Sequence, residues 1–428
     1  MTKIKYCRRC FYHEHHPLGL IIDEEGICSG CRIHEEKDAI DWQKKWQELE
    51  KLTQNYQNKD KRNFDCIIPV SVGKDSFFIV DIVKNKLKMN PLLVTYNKQF
   101  NTASGIARLA KLKTAFDCDT LSLVVSPEKV KKITRVTLKH LGSIYWCNLA
   151  GETVFPVQVA VKMRIPLIIW GAHQGIDQVG MFSHHDQVEM SRRYRKDHDL
   201  MGYEAEDLLT LSNELTPSDI DSFIYPDENE LSAVGVRGIY LNNYLRWDSK
   251  VQHDIMLDRY HYPTNREFRT FDTYNHIDCH HYSSLHDYIK LVKHGYSKVV
   301  DHATIQVRLK RIDQEEGLNL INQYITKFDL PDILQFADWV NMSSAEVNYH
   351  IHKFAHPLFW SRENGKFKFK NFYQENLVDR DTSLAVDLKL SKEWRIDQGN
   401  LIEKEKLCSK YILIGKGQKL NHDFYRNI

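Results

Sequence analysis

The residues with the plainest chemistry stand near the start of the chain. Cys7 and Cys10, then Cys28 and Cys31, form two Cys-x2-Cys pairs with 17 residues between them. Each pair makes a tight knuckle that aims two sulfurs at one ion, and two knuckles complete the tetrahedron that zinc prefers. All four positions are thiolates, so the predicted site is closed and structural. A redox role would need one pair beside a thioredoxin-like βαβ unit, and none is read there. Gly26 and Gly30 give the second knuckle its turn. His13, His15 and His16 lie between the pairs. They are expected at the surface, because four sulfurs already saturate the ion.

A second constellation is Ser71-Val72-Gly73-Lys74-Asp75-Ser76, after a β-type run over 64–70 and before a helical stretch near 76–88. A strand, a short glycine-containing turn and a helix start gather backbone N–H groups and a positive helix end at one point. That arrangement suits a phosphate. The loop is not a Walker A motif. Ile68 stands where that motif needs its first glycine, and Asp75 where it needs Ser or Thr. An ordinary βα turn, with Ser and Asp as caps, is the competing reading.

The surrounding elements follow from periodicity. Further strand candidates are 91–96, 121–125 and 166–170, with helical stretches near 102–116, 127–141 and 152–164. Alternating βα units predict an α/β fold with a doubly wound parallel sheet. Ser126-Pro127 is a good helix start. Trp42, Trp46, Leu49 and Leu52 recur at helical steps and make 35–61 a linker helix. After Gly171 the chain turns polar and irregular. Helices are expected again near 284–296 and 301–325, and Ser343 with Glu346 forms a capping box. Short strands and turns are expected at 366–372 and 410–415. The 428 residues divide into a zinc ribbon (1–34), the linker helix (35–61), an α/β domain (62–325) and a C-terminal helical region with short strands (326–428).

Composition excludes several classes. Hydrophobic residues make up 42% and charged residues 27%, a globular balance. No apolar run approaches a membrane span. The net charge is +2, which argues against wrapping a long nucleic acid. The chain opens MTKIKYCRRC, without the apolar stretch of a secretory signal. Nine cysteines, an odd number, point to a reducing compartment. The expectation is cytoplasmic, with no membrane partner.

SVGKDS after a buried strand resembles the SGGKDS loop of the PP-loop ATP pyrophosphatases, the adenine-nucleotide alpha-hydrolase-like fold. The paired cysteines, that loop, residues 166–173 (PLIIWGAH), and Asp287-Tyr288 with 293–302 (KHGYSKVVDH) are together similar to the N-acetyl sugar amidotransferases. The likeness spans residues 5–325. It departs at Val72, where glycine is usual, and at Tyr145-Trp146-Cys147-Asn148, where a second nearby cysteine is expected.

The resemblance implies an ATP-dependent, AMP-forming enzyme of bacterial surface-glycan biosynthesis, either lipopolysaccharide O-antigen or nonulosonic acid. It would adenylate an acetamido oxygen of a nucleotide-linked sugar and replace it with nitrogen from ammonia, giving an acetamidino group. ATP and Mg²⁺ would bind at Ser71, Val72, Gly73, Lys74, Asp75 and Ser76, with Tyr96 and Asn97 near adenine or ribose. Lys74 would neutralise the leaving pyrophosphate and Asp75 would be linked to Mg²⁺. His173 would shuttle a proton or bind substrate. Asp177, Glu189, Arg192 and Arg193 would contact the nucleotide sugar. Ammonia would arrive free or from a separate glutaminase subunit. The competing enzyme reading is a PP-loop tRNA-modifying thiolase or lysidine-type ligase. Scattered Cys66, Cys118 and Cys147 and the low net charge count against it.

Overall fold

Four of the expected strands form. They are β1 (Cys66–Pro69), β2 (Pro91–Tyr96), β3 (Thr120–Leu123) and β4 (Leu167–Trp170). A fifth, β5 (Arg237–Tyr240), lies in the stretch read as irregular. All neighbours pair in parallel, in the order β3-β2-β1-β4-β5. Order reverses between β1 and β4, and such a switch point leaves a crevice at the carboxyl ends of the strands. The computed structural model describes residues 4–58, 62–99, 101–262, 264, 266–274, 281–328, 330–370 and 373.

The helices are α1 (Ser29–Ala39), α2 (Trp42–Gln54), α3 (Lys74–Val80), α4 (Ala103–Ala115), α5 (Pro127–Leu141), α6 (Trp146–Met163) and α7 (Gln174–Asp177), followed by several more. Both faces of the sheet are covered. Cys66 and Ile68 pack with Phe77, Val80 and Met256 on the α3 side. Ile67 and Ile168 pack with Val154, Val157 and Ala160 of α6 on the other. Each such aliphatic side chain, fully buried, contributes about 1.5–3 kcal/mol of transfer free energy.

Several boundaries differ from expectation for physical reasons. Helix α6 begins at Trp146, well before 152. It is buried on most sides, so its sequence lacks a polar face to mark the start. The stretch 301–325 is two helices, Lys298–Arg308 and Gln314–Tyr324, broken where Lys310 adopts φ +57°. The capping box opens the helix Ser344–His352 as predicted. The expected strand at 366–372 is Lys366–Phe369 (β7), paired antiparallel with Trp360–Glu363 (β6). The strand expected at 410–415 lies outside the described residues. Among the described residues no helix is long and apolar enough to cross a membrane.

The helix after the loop changes pitch. α3 runs straight into a π-helical turn, Asp81–Lys86. Buried Asp81 there accepts hydrogen bonds from the Tyr260 hydroxyl (2.5 Å) and Arg259 Nη1 (2.7 Å). These bonds tie α3 to the helix Ser249–Tyr260.

Candidate functional site

The four cysteines meet. Their sulfurs all lie within 4.8 Å of one another, with Cys7–Cys31 at 3.9 Å and Cys10–Cys28 at 3.6 Å. A tetrahedral zinc with bonds of about 2.3 Å spaces its sulfurs about 3.8 Å apart. The set therefore fits a structural metal such as zinc. Backbone N–H groups of Cys28 (3.2 Å) and Arg9 (3.4 Å) donate to Cys7 Sγ. Arg308, from the helix Lys298–Arg308, sets Nη2 3.5 Å from Cys28 Sγ. Its Nη1 donates to the Gln178 carbonyl at 2.7 Å. One guanidinium thus offsets part of the charge of four thiolates and staples the module to the segment after β4. Gly30 permits this, since a Cβ there would stand 2.3 Å from Arg308 Nη2.

Two of the three histidines expected at the surface are packed inside, and His15 is half-buried. His13 and His16 are buried, and His13 stacks near Phe359 (4.9 Å) and His16 on Tyr296 (5.2 Å). His16 Nε2 meets the Tyr296 hydroxyl at 2.9 Å, and His13 Nε2 meets the His294 carbonyl at 3.0 Å. Desolvation pushes His16 down to about 3, so it stays neutral. The knuckle's aromatic side chains required a hydrophobic neighbour that sequence spacing did not reveal.

The second centre lies at the carboxyl end of β1. Ser71 N–H donates to Ser76 Oγ (2.8 Å), Gly73 N–H to Ser71 Oγ (3.3 Å), and the Tyr262 hydroxyl to the Val72 carbonyl (3.0 Å). Val72 keeps a negative φ, so the loop tolerates its Cβ. Lys74 is only 2% exposed, and its Nζ pairs with Asp75 Oδ1 at 2.8 Å.

The adjoining strand ends bring other expected residues to the same sheet edge. Asn97 continues β2, its N–H donating to the Leu123 carbonyl at 2.9 Å. Tyr96 packs on Gly151, where a Cβ would stand 2.3 Å from its ring. His173 follows β4, its N–H donating to Asn242 Oδ1 at 3.1 Å. The ring is buried and its Nδ1 accepts the Gly175 N–H at 3.1 Å. Burial pushes it down to about 3. A neutral ring committed to capping α7 serves position better than proton transfer.

The residues expected to contact the sugar are held by other protein groups. Asp177 pairs with buried Lys37 of α1. Glu189 accepts from Arg237 Nε (2.8 Å) and Nη2 (2.6 Å), at the amino end of β5 and so away from the loop. Arg192 lies 3.7 Å from Glu204 and 3.4 Å from Glu206, and Arg193 lies 3.5 Å from Asp197. Arg195 is buried against Glu204. The basic run is thus carboxylate-matched. Residues 275–280 lie outside the described residues. Tyr274 is described and bonds Gln306 at 2.6 Å.

Two residues that sequence reasoning passed over stand out. Asp199 sits beside His198 and close to Arg195 and Tyr240. No hydrogen bond or ion pair holds its carboxylate among the described residues. Burial pushes it up to about 7, against the pull of Arg195. Arg108, on α4, is 3% exposed, and its Nε and Nη1 lack hydrogen-bond partners. Its guanidinium lies 5.8 Å from the Tyr262 ring centre. A desolvated cation–π contact gives on the order of 2 kcal/mol, against several kcal/mol for burying an unpaired charge.

Residues 265–374 match the family model described as LPS biosynthesis protein WbpG-like, C-terminal domain. The match covers a quarter of the chain. It supports a WbpG-like family and, with it, a part in lipopolysaccharide biosynthesis. It takes in Asp301 and Arg308, which close the cysteine module, together with the β6–β7 hairpin. No curated protein matches the chain.

Proposed function

We propose that the protein is an ATP-dependent, AMP-forming N-acetyl sugar amidotransferase of the PP-loop type, acting on a nucleotide-linked sugar in surface-glycan biosynthesis. The observation that carries the reading is one chain joining a WbpG-like C-terminal domain to an SVGKDS turn at a sheet switch point. Ligands of open α/β sheets bind at such points. The acetamido oxygen attacks the α-phosphorus of ATP, and pyrophosphate leaves. Ammonia adds to the activated carbon, which then expels AMP with the original oxygen. The nitrogen gives up protons along the way. Lys74 neutralises the departing pyrophosphate, and Asp75 is the carboxylate offered to Mg²⁺. Asp199, an unpaired carboxylate titrating near neutrality, is the proton acceptor of this scheme.

The thiolase alternative loses ground on thiol chemistry. Cys66 and Cys147 are buried, and desolvation drives both thiols up, Cys147 to about 12. Such sulfurs are poor nucleophiles. The test is incubation with ATP, Mg²⁺, ammonium and nucleotide-linked acetamido sugars. The expected products are AMP, pyrophosphate and a cationic sugar lighter by the difference between O and NH. ADP as the nucleotide product, or a sulfur-containing product on tRNA, would sink the reading.

A further inference from the structure

Helix α4 buries the face formed by Gly105, Arg108 and Leu112, while Ile106 is 60% exposed. A helix that turns an arginine inward and an isoleucine outward gives up apolar burial, and local rules broken this way cluster at functional sites. Nothing among the described residues answers the Arg108 charge. Its cation–π partner is the Tyr262 ring. The hydroxyl of that same tyrosine donates to the Val72 carbonyl, so the guanidinium stands one ring away from the loop. His253 meets Tyr262 edge-on, with ring centres 6.0 Å apart. His253 is buried, held down by desolvation and by the nearby Lys74 charge despite Asp254. Arg108 and His253, on two helices, therefore meet at one tyrosine ring, and Lys74 at the start of a third lies within charge range of His253. The carboxylates beside them are already engaged, Asp75 with Lys74 and Asp254 with Lys250.

We propose that Arg108 is an anion-binding residue of this site, taking phosphate oxygens of a polyphosphate of the pyrophosphate class alongside Lys74. The guanidinium is left without a carboxylate so that the ligand supplies the missing charge. Arginine suits the task, because its planar fork can grip two oxygens at once. The assignment rests on the ATP-dependent reading above and adds a residue outside the loop motif.

The experiment uses the full, metal-loaded chain with Arg108→Met and Arg108→Lys. It measures the affinity for inorganic pyrophosphate with Mg²⁺ by calorimetry, and the melting temperature without ligand. Wild type should bind. Arg108→Met should bind about 10- to 100-fold more weakly, as loss of a charge-assisted contact implies. Its unliganded melting temperature should be equal to wild type or higher, since an unanswered buried charge has been removed. Arg108→Lys should recover part of the affinity. Unchanged pyrophosphate affinity in Arg108→Met overturns the proposal. If Arg108→Met melts lower and binds more weakly, the lysine variant decides: restored affinity supports the assignment, and unrestored affinity overturns it. Wild type that fails to bind pyrophosphate overturns both this proposal and the ATP reading. Wild type that binds it yet releases ADP from ATP overturns the adenylation reading alone.

Discussion

Around the four cysteine sulfurs the charges have answers: backbone N–H groups, the Arg308 guanidinium, and beyond them buried aromatic rings. Around the loop they do not. Among the described residues Arg108 lacks a carboxylate, both amide atoms of buried Gln252 lack partners, and so does the Tyr96 hydroxyl. Folding pressure alone would close such gaps, because unsatisfied buried polar groups are costly. The first centre is built to be complete once a metal is in place. The second stays incomplete until something else arrives. The difference lies in charge: Arg308 Nε and His13 Nδ1 beside the cysteines also lack hydrogen-bond partners, but among the described residues only the loop side leaves a buried cation without an anion in reach.

The contrast breaks most readily at the metal. Cys10→Ser should abolish zinc binding and with it soluble, cooperatively folding protein, since structural zinc contributes on the order of 10 kcal/mol to folding. Metal analysis should give one zinc per wild-type chain. A variant with full zinc content and an unchanged melt would show that the sulfurs do not form the site. Arg308→Met is the next largest change. It should destabilise by about 3–5 kcal/mol, read from chemical unfolding, as expected when a buried charge pair loses one member.

On the other side of the comparison, Lys74→Met should lower kcat by about 100- to 1000-fold while the far-ultraviolet spectrum stays native. A loss of fold would place Lys74 with the structural centre instead. Asp199 gives a pH test. Its folded value, about 7, lies above the ordinary range of an aspartate near 4. Its contribution is therefore present at low pH and is lost as pH rises through 7. Asp199→Asn should be more stable than wild type at pH 8, by on the order of 2 kcal/mol, and no more stable at pH 4. Equal pH profiles for the two proteins would remove Asp199 from the crevice chemistry. Arg193→Gln should have the smallest effect, about a twofold change in KM, because Asp197 already holds that side chain. A tenfold rise in KM would return the basic run to the substrate site.

The sequence was most readable where chemistry and spacing coincide. Two Cys-x2-Cys pairs and a strand-loop-helix signature each use a few adjacent residues, and the fold assembles both. β1, β2 and β4 were legible as apolar runs because both faces of a parallel sheet are buried. β5 was not. It is four residues long, contains Gly238, and is flanked by polar segments, so no periodicity could form. Arg192 and Arg193 drew attention because basic residues cluster there in sequence. Glu204 and Glu206, the carboxylate partners of Arg192, come a dozen positions later and show only in space, while Arg193 meets Asp197 one helical turn on. Arg108 was invisible for the converse reason. Inside GIARLAKLKT it passes for a solvated helix residue, and only the outward turn of Ile106 betrays the inverted face.

The grip of Arg308 on Cys28 also has a consequence in time. The two residues lie 280 positions apart. A ribosome adding about 5–20 residues per second needs between a quarter of a minute and a minute to travel from one to the other. Through that interval the thiols have emerged, the aromatic neighbours Tyr296 and Phe359 have not, and an ion held by four thiolates has its surplus negative charge in solvent. A metal taken up in that interval is bound before it is enclosed, and the nascent amino-terminal segment is the stage at which a competing soft metal or an oxidant could reach the sulfurs.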